Sequence, residues 1–169
     1  MKLSLLLFTV CVSCSGLAQT CLESINETTP SSNFTINLNG TVTDSRLGLM
    51  WMRCSLGQTW NSASASCTGD ALELNWQEAL QTAHGYIYAN QTGWRVPNVK
   101  ELASITEGQC VRPAINTEIF PNTPADDFWT SSPAVSDPQR AWVIAFFNSS
   151  NSIKEKSLFV YTRLVRTAN

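Results

Sequence analysis

The chain has 169 residues, 43% apolar and 14% charged, with 11 Lys and Arg against 13 Asp and Glu. These proportions exclude a disordered chain and fit one globular domain. A net charge of −2 with no basic run excludes a generally basic nucleic-acid binder. The charge is uneven, however. Residues 19–139 carry 5 basic and 12 acidic side chains, whereas beyond them Arg140, Lys154, Lys156, Arg163 and Arg166 face Glu155 alone.

Met1–Ala18 has Lys2, an apolar run from Leu3 to Val12 and small residues ending Gly16-Leu17-Ala18. That is the layout of a secretory signal cleaved before Gln19, and a run of about ten apolar residues is too short to span a bilayer. No later stretch is long enough either, so a secreted, periplasmic or cell-surface protein without a membrane span is expected. A lipid anchor at Cys14 is disfavoured, because Cys11-Val12-Ser13 lacks the leucine-like residue usual three positions upstream. Of six cysteines, Cys21, Cys54, Cys67 and Cys110 remain in the mature chain. An even number in an exported chain argues for two disulfides, and three pairings are possible. The Ser/Gly/Ala/Thr-rich stretch from Cys54 to Cys67 reads as a loop that needs a clasp, which favours that pair and leaves Cys21 with Cys110.

Residues 19–40 are rich in Ser, Thr and Asn and read as an extended lead-in with one short strand at Phe34, Ile36 and Leu38. The folded domain is expected over 41–169. Thr41 to Arg53 reads as a β-hairpin turning at Asp44-Ser45-Arg46. Asn75 followed by Glu78, and Asn98 followed by Glu101, are two capping boxes, each opening a short helix; Gly85 ends the first, and Leu102 and Ile105 share the buried side of the second. Strands follow at Phe128–Ser132, Arg140–Phe147 and Leu158–Val165. The apolar residues of Arg140–Phe147 do not alternate with polar ones, so that strand is expected to be covered on both faces and central in its sheet. The sum is an α+β fold, two short helices with antiparallel sheets.

Little points to catalysis. His84 is the single histidine, and neither a Gly-x-Ser-x-Gly elbow nor a phosphate-cradling glycine loop occurs. Asp126-Asp127 supplies too few oxygens for a calcium site by itself. No catalytic residue, metal or cofactor is expected. Six tryptophans are many for this length; Trp51, Trp76, Trp94, Trp129 and Trp142 are assigned to the core, and Trp60 to a partly exposed loop. On a strand Arg163 would share a face with Tyr161, and Lys154 with Lys156, offering cations to a ligand.

Several segments together resemble a known family. They are Thr41–Trp51, Trp76-Gln77-Glu78-Ala79-Leu80, Gly93-Trp94-Arg95-Val96-Pro97-Asn98-Val99-Lys100-Glu101-Leu102, Phe128–Ser132, Ala141-Trp142-Val143 and Arg163-Leu164-Val165-Arg166. In order and spacing these are similar to the Lcl C-terminal domain family, the bacterial module that ends a collagen-like adhesin. The resemblance implies a fold similar to C-type lectins and the formylglycine-generating enzyme, with surface-exposed adhesion to glycans or matrix as the role. The chain departs from the collagen-like member in having no collagen repeat. Neither Glu-Pro-Asn nor Gln-Pro-Asp, the sugar motifs of calcium-dependent lectins, occurs in it.

In related lectin-like domains ligands are held by the last strands and their loops, here Ser132–Arg140 and Asn148–Ser157. The expected ligand-binding residues are therefore Arg140, Asn148, Asn151, Lys154, Lys156 and Arg163. The expected partner is an extracellular glycan, sulfated glycans included, or a protein surface. The alternative is a cell-envelope assembly protein recognising a partner subunit, and a formylglycine-type enzyme would require a free reactive cysteine.

Overall fold

The computed structural model describes residues 19–168, so the signal expected over Met1–Ala18, with Cys14, lies outside the described residues. The lead-in begins with β1 (Thr20–Cys21) and reaches β2 (Phe34–Ile36), which turns Phe34 into the core. β2 pairs antiparallel with β3 (Thr41–Asp44), and β3 pairs with β4 (Leu49–Met52) as the predicted hairpin. The turn is fixed by Asp44, whose Oδ1 accepts the Arg46 amide at 3.0 Å. Just before β3 the chain needs a glycine. Gly40 has φ +81°, and an added Cβ would lie 2.7 Å from Cβ of Trp60. The stretch from Cys54 to Cys67, expected as a loop, instead contains a small hairpin of β5 (Thr59–Asn61) and β6 (Ser66–Thr68).

Both helices start where their capping residues place them. After β7 (Glu73–Leu74) comes α1 (Trp76–Ala83), where Asn75 Oδ1 accepts the Glu78 amide at 3.0 Å and Glu78 Oε2 accepts the Asn75 amide at 3.0 Å. α2 (Val99–Ala103) repeats the exchange between Asn98 and Glu101 at 2.9 and 2.8 Å. Satisfying these orphan amides is worth about 1 kcal/mol per cap. Leu102 and Ile105 are fully buried, as their spacing predicts.

The rest of the chain is β8 (Cys110–Val111), β9 (Asp127–Pro133), β10 (Arg140–Ala145), β11 (Asn151–Glu155), β12 (Val160–Tyr161) and β13 (Val165–Thr167). One sheet runs β11-β10-β9-β12-β7 and the other β13-β4-β3-β2, while β1 pairs with β8. All pairings are antiparallel except β12 with β9. The expected strand Leu158–Val165 is thus two short strands in different sheets, joined by the buried crossing Thr162-Arg163-Leu164. β10 sits between β11 and β9. Its Ile144 packs in one core cluster with Trp51, Leu102 and Phe128, and its Ala141 and Val143 in another with Met52, Ala79 and Trp129. That double burial is why its sequence does not alternate.

The two disulfides are Cys21–Cys110 and Cys54–Cys67, the favoured pairing. Beside the first, Glu107 anchors the lead-in. Its carboxylate, only 3% exposed, accepts the Thr28, Thr29 and Gln109 amides at 2.9, 2.8 and 2.9 Å and both threonine hydroxyls. Burial pushes its pKa upward, but these donors more than offset that and hold it at about 2, below the usual 4.5. A depressed carboxylate stabilises fully above its unfolded pKa and loses that contribution as pH falls. Stability is therefore expected to decline from pH 4.5 towards 2. Glu107→Gln is expected to cost about 2 to 3 kcal/mol at pH 7 and to flatten that decline, as read by urea melts across the range.

Candidate functional site

The six residues expected to bind a ligand do not form one patch. Cross-strand register places Arg140 opposite Glu155 and Ile144 opposite Asn151, so Arg140 and Asn151 share the β10–β11 face that carries Trp142 and Ile153. Lys154, one residue out of step, faces the other way. Asn148 sits in the turn between these strands, exposed, with its Oδ1 accepting the Ser150 amide at 3.1 Å.

Most of these cations already have partners. Arg140 reaches Asp137 at 3.3 Å and Glu155 at 3.9 Å, and Lys154 pairs with Asp127. Arg163 corrects the expectation outright, because it is 0% exposed and lies in the crossing between sheets rather than on a strand face. Its guanidinium donates to the carbonyls of Met52 and Arg53 and to the hydroxyls of Thr123 and Ser55, over the Phe120 ring. Desolvation alone drives its pKa down to about 9, so it remains charged at neutral pH yet offers nothing to a surface ligand. Arg166 is likewise buried, against Gln91.

Lys156 differs from the others. Its ammonium donates to the Pro138 carbonyl at 2.7 Å and lies 4.3 Å from the centroid of the Trp76 ring, with no carboxylate partner among the described residues. A carbonyl and a π face leave its full charge uncompensated. Trp76, assigned to the core, packs against it but is only half-buried. It is clamped by its indole N–H on the Thr130 carbonyl at 2.8 Å and its backbone amide on the Lys156 carbonyl at 3.0 Å. Together they line a surface hollow of about 610 Å³ with Leu80, Gln77, Gln81 and Gln139. Helical spacing explains part of this rim, since Gln77, Leu80 and Gln81 fall on one face of α1. The three glutamine side chains make no hydrogen bond among the described residues. An aromatic floor, three free primary amides and one uncompensated ammonium suit a polar, hydroxyl-rich ligand that carries negative charge.

Trp142, also assigned to the core, is a correction, because it belongs to neither core cluster. It is half-buried beside Ile153 on the β10–β11 hairpin. Trp51, Trp94 and Trp129 are buried as expected, and half-buried Trp60 carries the Arg53 guanidinium over its ring at 4.3 Å. Asp126 accepts the Asp127 amide at 2.7 Å in a local turn.

The most distinctive sequence block is architectural. Trp94 is buried, Arg95 forks onto Glu101 with two bonds of 2.7 Å, the Pro97 carbonyl accepts the Ser131 amide at 2.7 Å, and Asn98 caps α2. Burial raises the Glu101 pKa, but the Arg95 fork and the Asn98 amide outweigh it and hold the carboxyl below its ordinary value. Trp-Arg-Val-Pro-Asn-x-Lys-Glu-Leu thus joins α2 to β9 and β13.

The chain belongs to the Lcl C-terminal domain family, whose model matches residues 40–166. It is accordingly an adhesin-associated domain. No curated protein matches the chain.

Proposed function

We propose that this chain is an exported, non-catalytic, lectin-like binding module that holds an acidic glycan in the hollow between Trp76 and Lys156. One observation carries the reading: of the basic residues expected to bind, Lys156 alone is both accessible and free of an acidic partner, and it roofs an aromatic floor rimmed by unpaired amides. A sugar carboxylate or sulfate would draw the ammonium from the Pro138 carbonyl, and the ring would pack on Trp76 beneath it. Family membership supports an adhesive role. Closure of all four mature cysteines in disulfides supports the non-catalytic part, since no thiol is left among the described residues for formylglycine-type chemistry.

The test is a calorimetric titration with heparin-derived and glucuronate-containing oligosaccharides at two salt concentrations. Lys156→Gln is expected to weaken binding about tenfold or more, the value of one charge-assisted hydrogen bond, and to reduce its salt dependence. Equal binding by the variant, or no binding of any acidic glycan by the parent, overturns the proposal. Co-purification of a stoichiometric protein subunit in place of glycan binding would favour the envelope-assembly role.

A further inference from the structure

Away from Lys156, a separate hollow of about 530 Å³ lies over Trp142. Its floor and wall are Trp142, Ile153, Ala134 and Val135, the last fully exposed, and its rim carries Asn151 and Ser136. Four of the other tryptophans place their indole N–H on a backbone carbonyl, and that of Trp51 is sealed in the core. The indole N–H of Trp142 has no acceptor among the described residues and is not sealed. The Asn151 amide and Ser136 hydroxyl also make no side-chain hydrogen bond there. Unlike the Lys156 hollow, this one has no ionisable residue in its lining.

We propose that the Trp142 hollow is a second saccharide subsite, for an uncharged sugar bearing an acetamido group. Each part of that group has a counterpart. The acetamido carbonyl accepts the Trp142 indole N–H, its N–H is donated to the Asn151 side-chain oxygen, and its methyl fills the apolar corner of Ala134, Val135 and Ile153. The pyranose face covers the indole, as aromatic side chains favour. A plain hexose would leave the corner empty, and an acidic sugar would find no cation in the lining. Because the two hollows share no lining residue, one domain would hold two sugars at separate places.

The inference rests on the glycan-binding reading in general but not on the Lys156 hollow. The experiment follows the indole N–H resonances of the full mature protein by NMR while N-acetylglucosamine trimer or the matching glucose trimer is added. The acetylated trimer is expected to shift the Trp142 resonance, with affinity at least about fivefold above that of the glucose trimer, the scale of one neutral hydrogen bond with a buried methyl. Asn151→Ala, on the exposed rim, is expected to weaken it severalfold, and Trp142→Phe to weaken it while keeping the stacking ring. Lys156→Gln should leave it unchanged. The proposal is overturned if the two trimers bind equally, if Trp76 shifts instead of Trp142, or if neither rim variant alters binding. It is also overturned if sedimentation shows the hollow covered by a second copy that Val135→Ser releases. Loss of acidic-glycan binding in Lys156→Gln alongside an intact Trp142 response separates the two sites.

Discussion

Arg163→Ala is expected to destabilise the domain by about 4 kcal/mol, enough to consume much of the stability typical of a domain this size. The arginine is fully buried without a carboxylate, so its charge is held entirely by acceptors: two carbonyls at the end of β4, the Thr123 and Ser55 hydroxyls, and the Phe120 face. Removing the fork strands those acceptors in a dry interior and unfastens the segment around Phe120 and Thr123 from the crossing between β12 and β13. Arg163→Lys should recover only part of the loss, because an ammonium cannot reach acceptors spread across a planar fork. Urea midpoints followed by tryptophan fluorescence decide the matter; a loss below about 1 kcal/mol for the alanine variant would show the cation is not structural. The pKa near 9 adds a sign. A base whose pKa is lowered by folding costs stability at all pH values below that pKa, with relief only as pH rises through it. Arg163 should therefore contribute no pH dependence between 5 and 8.

The second large effect concerns the bridges. Replacing Cys21 and Cys110 together by serine is expected to cost more than replacing Cys54 and Cys67. The sequence separations are 89 and 13 residues. In the chain-entropy account a bridge over the longer loop is worth about 4.6 kcal/mol and over the shorter about 2.9 kcal/mol. Glu107 and its threonines continue to hold the lead-in when the long bridge is gone, so the variant should still fold. Thermal melts of the two double-serine variants give the order directly. A larger loss for the short bridge would mean that the hairpin of β5 and β6 depends on its clasp more than loop closure accounts for.

Features written into short stretches of sequence were legible, and those that depend on distant neighbours were not. Asn75 with Glu78 and Asn98 with Glu101 declare their helices because a capping box is closed within four residues. The β3–β4 hairpin is announced by its own turn. The pairing of cysteines followed from composition between Cys54 and Cys67, although the hairpin there was hidden because Ser and Ala carry weak strand signals. Arg163 was misread because an extended segment was assumed to continue from Leu158 to Val165, and alternation along a strand says nothing once the chain leaves its sheet. The apparent basic patch dissolved in part for a related reason: Asp127, which neutralises Lys154, comes from β9, whereas Asp137 reaches Arg140 from only three residues back. Of the expected binding residues, Lys156 and Asn151 line hollows. Trp76 and Trp142, which make those hollows attractive, were set in the core because residue type alone does not tell a buried indole from a half-buried one.

The link from Cys21 to Cys110 also shapes how the domain responds to being pulled. Tension applied along the backbone from residue 20 passes through sulfur to residue 110, and residues 22–109 form a closed ring outside the load path. β2 to β7 and both helices would stay unstretched while the later strands bear the strain. Under such a load the Trp142 hollow, built on β10 and β11, sits on the strained side of the bridge, while the α1 wall of the Lys156 hollow lies inside the unstretched ring.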